Sequence, residues 1–223
     1  MHSCALSWPR GFTVIELLLG LVLFLGVHSL RVFAPEWRAG MLSNLGEKKF
    51  KGLVSIASLV GFVLIIHGYG LARLTPQVLW IPPVATRHIA VLLMLFAMIF
   101  LVATYVPGNH IKQRLHHPMV VSVKVWSVAH LLANGMAADV VLFGSFLAWA
   151  VLDFRAARQR DRAAQAATVE PKLVETKPAT LRATVITIVV GAGLWLGFLT
   201  YLHLKLFGVS PLGTISTIGA MGS

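Results

Sequence analysis

Cysteine is nearly missing from this chain: Cys4 stands alone. One thiol cannot close an intramolecular disulfide, nor can it build a cysteine-based metal cluster. Charge is scarce as well. Asp, Glu, Lys and Arg make up 12% of the 223 residues, whereas 57% are hydrophobic and mean hydropathy is +0.80. A soluble domain of this size carries about twice that charge, so the composition excludes one and indicates an integral membrane protein. Segments of alternating polarity are absent too, which excludes a spanning barrel. The apolar runs are near-continuous in Leu, Val, Ile, Ala and Phe, and read as helices. The net charge of +11 comes without a stripe of base-stacking aromatics. Nucleic acid is therefore excluded as a partner, and the basic residues are assigned to cytoplasmic loops. No internal repeat is visible.

Taken in order, the chain opens with an N-terminal extension, residues 1–12. Across its boundary, Arg10-Gly11-Phe12-Thr13-Val14-Ile15-Glu16-Leu17 resembles the leader and cleavage motif of type IV prepilins. A pilin has one apolar helix followed by a soluble domain, whereas several more apolar runs follow here. The expected reading is an uncleaved first span with Glu16 at the membrane edge. Spans are expected over about 13–33, 53–71, 89–106, 119–134, 137–152 and 183–207, each judged against the ~30 Å hydrocarbon layer. They form an all-α bundle of about six transmembrane helices, in a domain covering 13–207 with a tail at 208–223. The Pro-rich loop around Trp80 suits an interfacial turn. Residues 155–182 are polar and Ala-rich, with Pro171 and Pro178. They read as a helix continuing out of the fifth span, then a flexible cytoplasmic linker.

The fourth and fifth spans are short, and one long kinked helix competes with two. Charge decides between them. With six spans, fifteen of the 19 Lys and Arg fall in the loops after the first, third and fifth or in the span ends beside them. Fusing the two spans gives 8 against 11 and erases the bias. The positive-inside rule therefore favours a turn at Asn134-Gly135, and it places both termini outside the cytoplasm.

The stretch from His116 to Gly144 is apolar enough for a membrane, yet it carries three histidines, a lysine, an asparagine and an aspartate. Polar side chains at that depth are costly and point to function. Four histidines lie within or at the edges of spans: His28, His67, His117 and His130. No Asp/Glu pair or Cys cluster accompanies them in the membrane, so zinc and di-iron chemistry are poorly supported. Haem needs only one or two axial imidazoles and an apolar pocket between helices. Taking Arg31 and Lys124 as markers of the cytoplasmic interface, His28 and His130 lie roughly 4.5 and 9 Å inside it at ~1.5 Å per residue. The bland alternative is that each histidine hydrogen-bonds a neighbouring helix. His88, His110 and His116 read as interfacial, and Trp80, Trp126 and Trp149 as packing or belt residues. Tyr69 and Asn134 either donate into a pocket or close turns.

Ordered motifs then carry a resemblance. They are Gly26-Val27-His28-Ser29-Leu30-Arg31, Gly46-Glu47-Lys48-Lys49-Phe50-Lys51-Gly52, Gly68-Tyr69-Gly70-Leu71-Ala72-Arg73, Leu79-Trp80 and His117-Pro118-Met119. The longest is Lys124-Val125-Trp126-Ser127-Val128-Ala129-His130-Leu131-Leu132-Ala133-Asn134-Gly135, followed by Leu142-Phe143-Gly144-Ser145-Phe146. Over roughly residues 17–206 the chain resembles the NnrU family, which is similar to the plant and cyanobacterial 15-cis-zeta-carotene isomerase, a membrane haem b enzyme. The resemblance implies haem b with His28 and His130 as axial ligands. His67, His117, Tyr69, Ser127 and Asn134 are the further candidate pocket residues. Ser127 stands where the isomerase has a cysteine implicated in redox-dependent ligand exchange, and serine is a poor haem ligand by comparison.

The expected protein is thus a polytopic protein of the bacterial inner membrane, with the bilayer as its surroundings and both termini periplasmic. Haem b held between helices would serve a redox-linked role in the nitric oxide and denitrification metabolism with which bacterial members are associated. A small apolar substrate or a membrane redox partner would meet it there. The alternatives are a carotenoid cis-trans isomerase and a haem-free structural or transport protein. The resemblance assigns no catalytic residue.

Overall fold

The computed structural model describes residues 11–167 and 178–212. Cys4, Arg10, the middle of the expected linker and most of the tail lie outside the described residues. The helices are α1 (Gly11–Phe33), α2 (Pro35–Leu45), α3 (Glu47–Leu74), α4 (Val84–Tyr105) and α5 (His110–Leu115), then α6 (Pro118–Ala133), α7 (Ala137–Ala167) and α8 (Leu181–Gly197). A π-helical turn (Phe198–Leu202) joins α8 to α9 (His203–Phe207). Among the described residues the extended pairing is limited to one isolated bridge, Val78 with Met136. Five helical stretches are long and apolar enough to cross a membrane, and α6 is a shorter apolar helix of 16 residues.

Local chemistry sets the boundaries. Pro35 starts α2 where its missing N–H costs nothing. Gly46, at φ +78°, ends α2 and begins α3. Val106 precedes Pro107, is extended rather than helical, and stops α4. Asn109, 1% exposed, caps α5 by accepting from Lys112 N at 2.7 Å, while its amide donates to Ala103 O at 3.0 Å. Beyond Leu152 the sequence turns to Ala, Arg and Gln, all strong helix formers, and α7 runs on to Ala167. The helix between Ala133 and Ala137 is broken at Asn134, Gly135 and Met136, where the charge count expects a turn.

The chain divides into two compact units. The first holds Met1–Ile81 and Asn134–Arg160. In it α1 and α3 pack closely and antiparallel, because glycines line their seam. A Cβ on Gly20 would lie 2.6 Å from Ile65 N, and one on Gly61 2.8 Å from Phe24 N. One on Gly68 would strike the backbone of Leu17. Without a hydrophobic drive between helices in lipid, such close backbone approach supplies the dispersion contact that holds them. The 75–83 loop docks on the 134–136 turn: Leu79 N donates to Gly135 O at 2.8 Å and Ala137 N to Gln77 O at 2.9 Å. Gly135 is required there, since a Cβ would collide with Trp80 O.

The second unit holds Pro82–Ala133 and Asp161–Ser223. Here α4 packs against α6 and α8. Ser122 Oγ donates to Ala97 O at 2.7 Å, and Trp195 Nε1 donates to Val91 O at 2.9 Å. A Cβ on Gly191 would lie 2.7 Å from Ile99 Cα. Thr180 caps α8 by accepting from Ala183 N at 3.2 Å.

Candidate functional site

The first unit holds His28, His67, Tyr69 and Asn134; the second holds His117, Ser127 and His130. Each of the four in-span histidines is oriented by a hydrogen bond, and the partners sort them into two kinds.

His67 and His117 donate to carboxylates. His67 Nδ1 lies 2.7 Å from Glu16 Oε2, across the α1–α3 seam. His117 Nε2 lies 2.8 Å from Asp161 Oδ2. Both meet the bland expectation of a histidine bonded to a neighbouring helix. His117 is delivered by a tight turn: His116 has φ +63°, and His117 N donates to Leu115 O at 2.7 Å. That three-residue γ-turn is strained for a residue bearing a Cβ.

His28 and His130 are held differently. His28 Nδ1 donates to Phe24 O at 2.7 Å and His130 Nδ1 donates to Trp126 O at 2.9 Å, each four residues back in its own helix. A carbonyl can only accept, so Nδ1 is the donor in each ring. Iron-bound histidines are held in this way, the second ring N–H fixed by an acceptor and Nε2 presented to the metal. Aromatic rings pack on both imidazoles. Phe24 lies 4.4 Å from His28 between ring centroids, Trp149 lies 6.2 Å from His28 edge-on, and Trp126 lies 5.1 Å from His130.

Two buried side-chain polar atoms among the described residues have no hydrogen-bond partner: Ser127 Oγ and Trp149 Nε1. Ser127 is 0% exposed and lies three residues before His130, on the same face of α6. Trp149 is the ring set edge-on to His28. Each orphan therefore adjoins one of the two histidines held by a carbonyl of its own helix. Spacing along α6 points to Ser127. Nothing in the sequence marks Trp149, whose contact with His28 is made through space.

Tyr69 is committed elsewhere. Its hydroxyl donates to Asp139 Oδ1 at 2.5 Å, and Asp139 Oδ2 accepts from Met136 N at 2.9 Å. Asp139, 3% exposed, thus sits in the first turn of α7 and reaches back to the cap, where the helix dipole favours its charge. Tyr69 and Asp139 close the turn in which Asn134 lies half-buried. The lone aspartate in an apolar span was the visible signal for this anchor. Among the described residues no group of three His, Cys, Asp or Glu side chains could hold a metal ion.

Five apolar helical stretches of spanning length, with no strand among the described residues, define a multi-pass all-α membrane protein. Within that class the chain belongs to the NnrU family, whose model, described as NnrU protein, matches residues 16–211. No curated protein and no solved structure matches the chain.

Proposed function

We propose that this protein binds haem b in the bacterial inner membrane through His28 and His130, and that the haem serves a redox-linked step of nitrogen-oxide metabolism. The observation that carries the reading is the pairing of each histidine with an unsatisfied buried polar atom, Trp149 Nε1 for His28 and Ser127 Oγ for His130. An unpaired buried polar group costs about 1–3 kcal/mol, so one beside each histidine supports a ligand bearing polar atoms. Each histidine taken by itself supports a haem-ligand role, with its ring oriented through Nδ1 and an aromatic ring, Phe24 or Trp126, packed against it.

When bound, the haem would supply an iron centre alternating between ferric and ferrous states. The chain's own residues do the rest. The carbonyls of Phe24 and Trp126 accept from each Nδ1 and so raise the basicity of Nε2. Ser127 in place of the isomerase's cysteine removes a soft alternative ligand, which favours electron transfer over carotenoid isomerisation.

The test is an absorption spectrum of the purified protein, oxidised and reduced. A Soret band is expected in the wild type, shifted or lost in His28→Ala and in His130→Ala. A protein without the band, or a band unchanged in both variants, sinks the haem reading. A deletion strain that reduces nitrite and nitric oxide normally sinks the physiological role.

A further inference from the structure

We propose that the indole N–H of Trp149 binds a haem carboxylate, and so fixes which edge of the ligand faces the interface. The inference rests on the haem reading above. Its starting point is the contrast between two tryptophans. Trp195 satisfies its N–H with Val91 O at 2.9 Å, whereas Trp149 Nε1 is buried with no partner. Indole is a donor only, so the missing group must be an acceptor.

Among the described residues none supplies it. Phe24 lies 4.4 Å from His28 and 5.8 Å from Phe146 between ring centroids, and neither phenyl ring carries a polar atom. His28 has its Nδ1 committed to Phe24 O, and the haem reading gives its remaining nitrogen to iron. The acceptor therefore arrives with the ligand. The carboxylates are the anionic groups of haem b, and an N–H···O⁻ bond in a low-dielectric site is about twice as strong as a neutral one.

Position along the helices supports the same group. The contacts Phe24–Phe146 and His28–Trp149 advance together along α1 and α7, so the two helices run in the same direction. Arg31 follows His28 and Arg155 follows Trp149, which puts this layer near the basic, interfacial end. The polar layer of Glu16, His67, Tyr69 and Asp139 marks the other end. A ligand with an apolar body and an ionised edge would set its carboxylates toward Trp149 and the interface, where charge costs least.

The experiment uses the full-length protein, stripped of haem and reloaded with either haem b or its dimethyl ester. Haem loss to an acceptor globin is then timed for the wild type and for Trp149→Phe. Loss of one charge-assisted bond predicts roughly tenfold to a hundredfold faster release of the ester than of haem from the wild type. Trp149→Phe should release both at the faster rate. Ultraviolet resonance Raman of the wild type should also show a tryptophan N–H hydrogen bond that disappears when haem is removed. Equal release of haem and ester from the wild type overturns the assignment while leaving haem binding intact, and that comparison needs no variant to fold. The same holds if the N–H signal survives haem removal, as it would with a lipid carbonyl or the His28 ring as acceptor. A wild type that takes up no haem overturns both this assignment and the reading beneath it.

Discussion

Ser127 places a hydroxyl at 0% exposure with no partner, a costly arrangement in a low-dielectric interior. Replacing it with alanine removes the orphan without opening a large void. Ser127→Ala is therefore expected to stabilise the haem-free protein by about 1 kcal/mol. In the loaded protein the sign should reverse, with faster haem loss, because the hydroxyl's partner is then present. Thermal unfolding in detergent, with and without haem, checks both signs; the same sign in both states would show that Ser127 faces no ligand. At this scale the sequence was informative where polarity stands against an apolar background. His28, His67, His130 and Asp139 all announce themselves that way. It was silent on partners. That Glu16 pairs with His67, and that Trp149 edges His28, are facts of packing between helices far apart in the chain. Ring identity alone left Trp149 indistinguishable from a belt residue.

The α1–α3 seam turns on which glycines have neighbours. A Cβ on Gly20 would meet Ile65 N at 2.6 Å, whereas one on Gly26, two turns further along α1, meets nothing within 4 Å. Gly20→Ala should therefore force the helices apart and cost about 1–3 kcal/mol. Gly26→Ala should be neutral or stabilise by up to about 1 kcal/mol through helix propensity. Thermal denaturation of the two variants side by side reads the difference, and equal costs would refute the close seam. The break between α6 and α7 was legible because fifteen of 19 basic residues share one face only if the chain turns there. The reason glycine stands at 135, docking of the 75–83 loop against its backbone, was not legible. Nor was α2. Residues 35–45 lack an apolar stripe, and the helix stands on Pro35 at its start and Gly46 at its end. The second span also begins earlier than hydropathy suggests, since the Lys51–Glu47 ion pair at 2.6 Å extends α3 through its basic first turns.

For the whole molecule the open quantity is how many times the chain crosses the bilayer, and α6 decides it. At ~1.5 Å per residue its 16 residues span about 24 Å, short of the ~30 Å hydrocarbon layer. A short span is accommodated by local thinning and by long side chains reaching the interface. If α6 crosses, the basic stretches at the start of α3, in α5 and at the end of α7 all face the cytoplasm, as the positive-inside rule requires. The check uses a Cys4→Ser background and single cysteines at Lys49, Thr75, Gln113 and Arg158, treated in whole cells with a membrane-impermeant thiol reagent. Thr75→Cys is expected to label. Lys49→Cys, Gln113→Cys and Arg158→Cys should label only after the cells are opened. Labelling of Arg158→Cys from outside, with Gln113→Cys still protected, would mean that α6 does not complete a crossing. The seven basic residues from Arg155 to Arg182 would then lie on the face opposite the other eight.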